Sequence, residues 1–529
     1  MATLTPNFPR KKVAIIGSGV AGIGALWALN RTHHDVYIYE AADRLGGHTN
    51  SVEFKHGINK TMVDTGFIVL NAATYPNFIA FLKYIGTPIV PTDMTFGVSR
   101  DQGLFEWAGT SLSSVFAQRK NLFSPRMWRM IFDIIRFNQY ALDLLQLEEK
   151  SEDYSIGNGN GNGNGNGNGT ANSKQGRRTQ EEESIGEYLQ REGYSDAFRD
   201  DYLIPMTAAV WSTSPDKASL EFPAVTLVRF MWNHHLLSTV ATRPQWLTLK
   251  YCAKSYIDAV MKGFPPNHIF LNTAIESVTN DEDGRVRLHL ENGKTEVYDH
   301  VVIATHGDQA HALILPEADT EEKQILSGFQ TSKNTAILHS DLSLMPKSRK
   351  AWSSWNYITE SSATSTNVDQ VCLTYNMNIL QHISEETFGH VLVTLNPLHL
   401  PDPELVQGRY TYSHPLYNAK SIQSQSLLPR IQNTRGISYC GAWTKYGFHE
   451  DGFSSGLKVA QDHLGAQLPF KFIDSTFSRG RRPVLGLADL ILRSWILAIQ
   501  LFIKSVEVLF GVRRGVSPDV QMKNLKKTE

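Results

Sequence analysis

Residues 13–40 constrain this chain more than any other stretch. A β-branched run, Val13, Ala14, Ile15 and Ile16, leads straight into Gly17, Ser18, Gly19, Val20, Ala21 and Gly22. A helical stretch to about Leu29 follows, then a second strand, Val36, Tyr37, Ile38 and Tyr39, which ends at Glu40. Each piece has a mechanical job. Gly17 allows a tight turn, Gly19 lets backbone approach a pyrophosphate, and Gly22 permits helix to pack closely on strand. The helix N-terminus offers free N–H groups and a positive dipole end to phosphate. Glu40 stands 18 residues beyond Gly22, where a carboxylate accepts hydrogen bonds from the ribose hydroxyls of an adenosine. A glycine triplet alone is weak evidence, whereas the whole strand, turn, helix, strand and acid predict a dinucleotide-binding domain.

The next residues select the dinucleotide. Arg44, Leu45, Gly46, Gly47, His48 and Thr49 put an arginine and a glycine pair directly after Glu40. Glycines there let backbone lie close to a second phosphate or to a flavin. An NAD-dependent dehydrogenase has no need of that contact. The pattern resembles the flavin-containing amine oxidase superfamily, whose second motif of acid, arginine and glycine pair follows the first. The resemblance implies FAD and a doubly wound α/β FAD-binding domain beside an α+β substrate domain. It further implies that residues 275–278, Val278 among them, lie along the adenine, and that residues 300–305 return to the FAD domain. Near the C-terminus, residues 437–443 read as a strand running into a loop at Gly441, and residues 446–456 then open a helix. In the superfamily that helix N-terminus points at the flavin, which makes Glu450, Asp451 and Gly452 cofactor-binding candidates with Asp451 as N-cap. The superfamily's common glutamate is replaced here by Trp443.

A closer resemblance rests on residues 64–71, 74–77, 118–122, 202–205, 233–237 and 243–248. They look like the amine-oxidase-like domain that precedes the methyltransferase domain in plant cyclopropane fatty acid synthases, and like its stand-alone bacterial and fungal relatives. The resemblance runs from about residue 11 to 468. It implies a discontinuous FAD domain, 1–75, 240–310 and 430–468, with substrate-domain segments 76–239 and 311–429 between. A separate methyltransferase is the partner it suggests.

Composition describes an ordinary folded protein. In 529 residues, Lys+Arg 51 against Asp+Glu 52 leaves a net charge of −1, so no bulk positive charge argues for nucleic acid. Cys252, Cys372 and Cys440 are too far apart for a disulfide framework or metal-ligand spacing, which suits a reducing compartment. Residues 1–12 lack the apolar core of a signal peptide, so the cytoplasm is expected. Residues 147–183 contain a Gly-Asn tract, 157–169, with nothing apolar to bury, and read as a disordered insertion between helices.

The tail, 469–529, contains an apolar segment, 484–510, interrupted by Asp489, Arg493, Gln500, Lys504 and Glu507. At about 100° per residue these five fall within about 60° of arc. The longest charge-free run is well short of the ~20 residues a spanning helix needs. An amphipathic helix lying in a membrane surface fits, with Trp495 at the interface and Arg481, Arg482, Arg513 and Arg514 near headgroups. A helix capping a groove on its own protein is the alternative.

No pattern fixes a catalytic residue. His449 and His234 are candidates on their neighbourhoods, His234 and His235 being placed in an aromatic helix with Phe230 and Trp232. Trp355, with Trp352, Asn356 and Tyr375, is a candidate aromatic wall over a flavin. The superfamily's amine oxidases often use a lysine near the flavin, and no lysine here sits in a match; Lys350 is the nearest candidate. The expected function is hydride transfer from a carbon of a hydrophobic, lipid-like substrate to FAD, peripherally on a membrane. Amine oxidation and a non-catalytic partnership with a lipid methyltransferase are the alternatives.

Overall fold

A computed structural model describes residues 9–146, 183–211, 218–237, 244–360, 372–480 and 483–509. The Gly-Asn tract, Arg481, Arg482, Arg513 and Arg514 lie outside the described residues.

Five strands form a wholly parallel sheet in the order Ile269–Phe270, Asp35–Tyr39, Lys12–Ile16, His300–Ile303 and Ile437–Tyr439. Its members come from both ends of the chain. Successive side chains of a strand point to opposite faces, and a parallel sheet is covered on both. The central strand obeys this: Val13 and Ile15 join one buried cluster, Ala14 and Ile16 another. The first cluster lies under helices Val20–Leu29, Pro76–Tyr84, Lys254–Met261 and His449–Leu464. The second lies under a three-stranded antiparallel hairpin, Ile275–Asn280, Val286–Leu290 and Thr295–Tyr298, and helix Gly307–Ile314.

A seven-stranded mixed sheet makes the second layer system. Its order is Val406–Leu416, Gln330–His339, Leu392–Leu395, Cys372–Asn376, Trp355–Thr359, Phe96–Arg100 and Phe105–Ala108. Helices from residues 125–146 and 185–237 build a third apolar cluster beside it. The chain is thus a doubly wound α/β unit joined to an α+β unit. The C-terminal helix runs Leu487–Leu509, and among the described residues no helix is long and apolar enough to cross a membrane.

Two local expectations are corrected. The second glycine-rich helix begins at His449 with Phe448 as its N-cap, so Asp451 sits in the third helical position. The chain turns three residues earlier than expected because the Asp451 carboxylate reaches back to accept the Phe448 N–H at 3.0 Å. Helix Ala224–Asn233 stops before the histidine pair: His234 is its C-cap, and His235 turns away with φ +58°.

Candidate active site

The first helix starts without a side-chain cap, so its leading N–H groups have no partner from the usual cap residue. Gly17, at φ +97°, makes the turn that aims them, and a Cβ there would lie 2.9 Å from the carbonyl oxygen of Ala304. Gly22 packs still closer, since its Cβ would come 2.0 Å from the Gly17 oxygen. Gly19 is different. A Cβ on it meets nothing within 4 Å, because it faces a cleft. The glycine pair is tied to this loop: Gly46 donates its N–H to the Ser18 carbonyl at 3.0 Å. Arg44 binds the carbonyls of Gly47 at 2.8 Å and Thr49 at 3.2 Å, so it shapes its own loop and does not line the cleft. Glu40 lines the cleft while accepting the N–H groups of Ser18 at 3.0 Å and Ala42 at 2.9 Å.

The cleft measures about 930 Å³ and runs between the two units. One end is walled by Ile16 to Ala21, Glu40, Gly46, Gly47, Thr273 to Glu276 and Glu291. Its middle is walled by His48, Thr305, His306, His414, Gly441 to Trp443 and Tyr446 to His449. The other end is walled by Met94, Phe96, Trp107, Tyr202, Phe230, His234, His235, Leu236, Trp246, Trp355 and Tyr375. Val278 is buried in the core under the hairpin, and Ile275 and Glu276 reach the cleft in its place. Thr49 also lies beneath the wall, with its hydroxyl 2.7 Å from that of Tyr256.

The second helix N-terminus carries most of the remaining expected residues, though as supports. His449 stacks on Phe67 at 3.6 Å between centroids, and its Nε2 lies 3.0 Å from the Tyr256 hydroxyl. Burial pushes its pKa down to about 3, which keeps the ring neutral. The buried Glu450 carboxyl accepts N–H groups of Asn77 at 3.1 and 2.7 Å and of Phe78 at 2.9 Å. It therefore caps helix Pro76–Tyr84 and does not face the cleft. Burial raises it to about 8 against the pull of those donors, and raises Asp451 to about 6. Gly452 lets the two glycine-rich helices touch, since its Cβ would lie 2.6 Å from Val20 Cγ1. Trp443 lines the cleft, donates its indole N–H to the Thr305 carbonyl at 2.9 Å and packs on Phe329.

His234, with its pKa lowered by burial to about 4, has Nδ1 3.0 Å from the Phe230 carbonyl. Trp355 and Tyr375 meet edge to face in the cleft wall, 5.1 Å apart. Trp352 instead donates its indole N–H to Pro346, and Asn356 is fully buried, binding Ser353. Lys350 is exposed on a surface turn and does not reach the cleft.

Sequence reasoning missed a histidine cluster. His306 and His414 approach His48 at 5.8 and 5.2 Å between ring centroids. Burial, then the neighbouring imidazoles, holds His48 well below its ordinary value, and burial takes His414 to about 4. His48 Nε2 is buried without a hydrogen-bond partner. Three residues from distant parts of the chain give no spacing signal, so only the fold assembles them.

These features fit FAD. The uncapped helix and the open space over Gly19 suit a pyrophosphate, Glu40 suits a ribose, and the unpartnered His48 nitrogen suits a polar edge farther along. The fold and site define a flavoprotein of the two-domain oxidoreductase class. Residues 20–341 match the model of the flavin-containing amine oxidoreductases, and the chain belongs to that family. It is an FAD-dependent oxidoreductase. No curated protein matches it. Solved structures share the fold at low identity. A CLA-producing fatty acid isomerase from P. acnes is 14% identical with a TM-score of 0.56, over 86% of this chain and 99% of that one. Cyclohexylamine oxidase from Brevibacterium oxydans is 14% identical with a TM-score of 0.55, over 86% and 98%. Putrescine oxidase bound to putrescine is 13% identical with a TM-score of 0.55, over 86% and 99%.

Proposed function

We propose that this oxidoreductase oxidises a carbon of an uncharged, hydrophobic substrate such as an acyl or alkyl chain. One observation carries the reading. Among the described residues lining the cleft, the carboxylates are Glu40, Glu276 and Glu291, all at the dinucleotide end, and no lysine or arginine lines it. A diammonium substrate would be desolvated there without a counter-ion, and so would a free carboxylate. Phe96, Trp107, Trp355 and Tyr375 offer apolar and aromatic surface instead.

When bound, the flavin accepts the hydride. The chain's own residues do the rest. Gly17 to Gly22 and Glu40 anchor the dinucleotide, the apolar wall excludes water, and the edge-to-face Trp355 and Tyr375 orient the substrate. Oxidation of a carbon also releases a proton. The groups available to take it at this end are imidazoles held neutral, and His235 Nδ1 is buried without a partner. A fatty acid isomerase on the same fold supports room for an acyl chain.

Anaerobic titration of the purified flavoprotein tests this. Neutral long-chain esters and alcohols should bleach the flavin absorbance. Bleaching by primary amines alone would replace the reading with amine oxidation.

A further inference from the structure

The C-terminal helix, Leu487–Leu509, is docked the opposite way round from a helix of a soluble domain. The polar residues of its first two turns face the protein. Arg493 pairs with Asp143 at 2.9 Å, the Tyr140 hydroxyl donates to the Arg493 carbonyl, and Gln139 reaches Asp489 at 3.4 Å. Ile496, on the same side, is only 2% exposed. The apolar residues point outward: Trp495 is 66% exposed, Phe502 69% and Leu501 58%. Serines on that outward face keep their hydroxyls inside the helix, Ser494 donating to Leu490 at 2.9 Å and Ser505 to Leu501 at 2.8 Å.

We propose that this face is an in-plane anchor for an anionic phospholipid surface. Three observations choose lipid over a protein partner. Charge is segregated: from residue 478 onward ten Lys and Arg stand against four Asp and Glu, in a chain whose net charge is −1. Basic side chains beside an interfacial helix are drawn to an anionic surface. The segment that leads into and forms the helix it docks on also carries exposed aromatic residues. Trp128 lies eleven residues before Gln139 in helix Pro125–Tyr140, about three turns and so on the same side, and it is half exposed, as Phe123 is more fully. An exposed apolar helix face in a segment with an excess of basic residues suits a bilayer, where Trp495 sits at the headgroup boundary. Finally, the segment leading into the helix is tied to the cleft. Arg479 stacks 3.5 Å over Trp232, and Asn233 donates to the Thr476 carbonyl, one residue before His234 in the cleft wall. The anchor thus holds the hydrophobic end of the cleft next to lipid, a placement that matters most if the substrate is the one proposed above.

Flotation of the full FAD-loaded protein with vesicles tests it without turnover, so its failure and that of the substrate reading are separable. Vesicles of 70% phosphatidylcholine and 30% phosphatidylglycerol should carry the protein, and pure phosphatidylcholine vesicles at least tenfold less. The Trp495→Glu/Phe502→Glu double variant, with both sites on the exposed face, should lose binding at least tenfold while keeping the flavin spectrum. Should that variant misfold, Leu497→Gln/Leu501→Gln takes its place. Absence of binding to the anionic vesicles overturns the proposal. So does a concentration-dependent dimer in solution that the double variant abolishes, because the face would then belong to a second copy.

Discussion

Gly456 rests directly on Ala21: a Cβ on the glycine would lie 2.1 Å from the Ala21 carbonyl oxygen. Residues 435 positions apart are thereby held in contact. Gly24 returns the fit, since its Cβ would meet the Phe453 oxygen at 2.9 Å. The two glycine-rich helices, one from each end of the chain, therefore bring both N-termini to a single cleft. Replacing Gly456 by alanine must push backbone apart, which overpacked cores show to cost about 1–3 kcal/mol. The Gly456→Ala protein should melt several degrees lower and lose FAD affinity in parallel, read by differential scanning fluorimetry and flavin release.

Gly19 makes the opposite case. Its Cβ position is empty and its φ of −60° suits any residue, so alanine there strains nothing in the protein. The Gly19→Ala apoprotein should melt within about 1 °C of wild type, while FAD binds at least tenfold more weakly by fluorescence titration. A variant that binds FAD normally would place the pyrophosphate elsewhere.

Local chemistry made the first glycine loop, Glu40 and four of the five parallel strands legible, because turn, helix and strand signals there fall within a few residues of one another, whereas the two-residue strand Ile269–Phe270 is too short to read. Glu450 and Asp451 read from the sequence as cofactor-binding residues, with Asp451 as N-cap, whereas neither lines the cleft and Phe448 is the N-cap. Glu450 serves Asn77 and Phe78, which stand more than 370 positions away. The gathering of His48, His306 and His414 was hidden for the same reason. The tail showed its polar arc plainly, whereas the direction that arc faces is decided by Asp143 and Gln139.

Glu450 joins the starts of two helices, its two oxygens accepting three N–H groups. In Glu450→Gln the amide must turn its NH2 toward either Asn77 or Phe78, setting donor against donor. One buried, unmet polar group costs about 1–3 kcal/mol. Chemical denaturation of the apoprotein should show that loss, and Glu450→Ala should lose more because it also leaves a cavity.

The cleft histidines and the buried acids predict a stability optimum near pH 6.5. His449 at about 3, and His234 and His414 at about 4, stay neutral in the fold and titrate at 6.5 when unfolded. The unfolded chain then binds more protons between those limits, so stability is lost as pH falls below 6.5. Asp64 at about 7 and Glu450 at about 8 are raised, so the fold binds more protons than the unfolded chain and stability falls as pH rises toward those values. Each group contributes up to about 1.4 kcal/mol per pH unit within its window. Melting temperatures from pH 4.5 to 8.5 should peak between the two limbs. Glu450→Gln should keep the acid limb and flatten the alkaline one.

Trp355 and His235 separate orientation from proton transfer. Trp355 presents its ring to the apolar end of the cleft, edge to face with Tyr375, so Trp355→Ala removes surface and leaves the dinucleotide wall intact. It should raise KM for a long-chain substrate about tenfold or more, an effect of ~1.4 kcal/mol. His235→Gln keeps volume and removes the imidazole. If His235 takes the proton, kcat should fall at least a hundredfold with KM little changed, and the acid limb of the kcat profile should disappear. Anaerobic single-turnover bleaching, measured across pH for both variants, reads the two effects apart. A His235→Gln enzyme that bleaches at the wild-type rate would leave the proton to solvent.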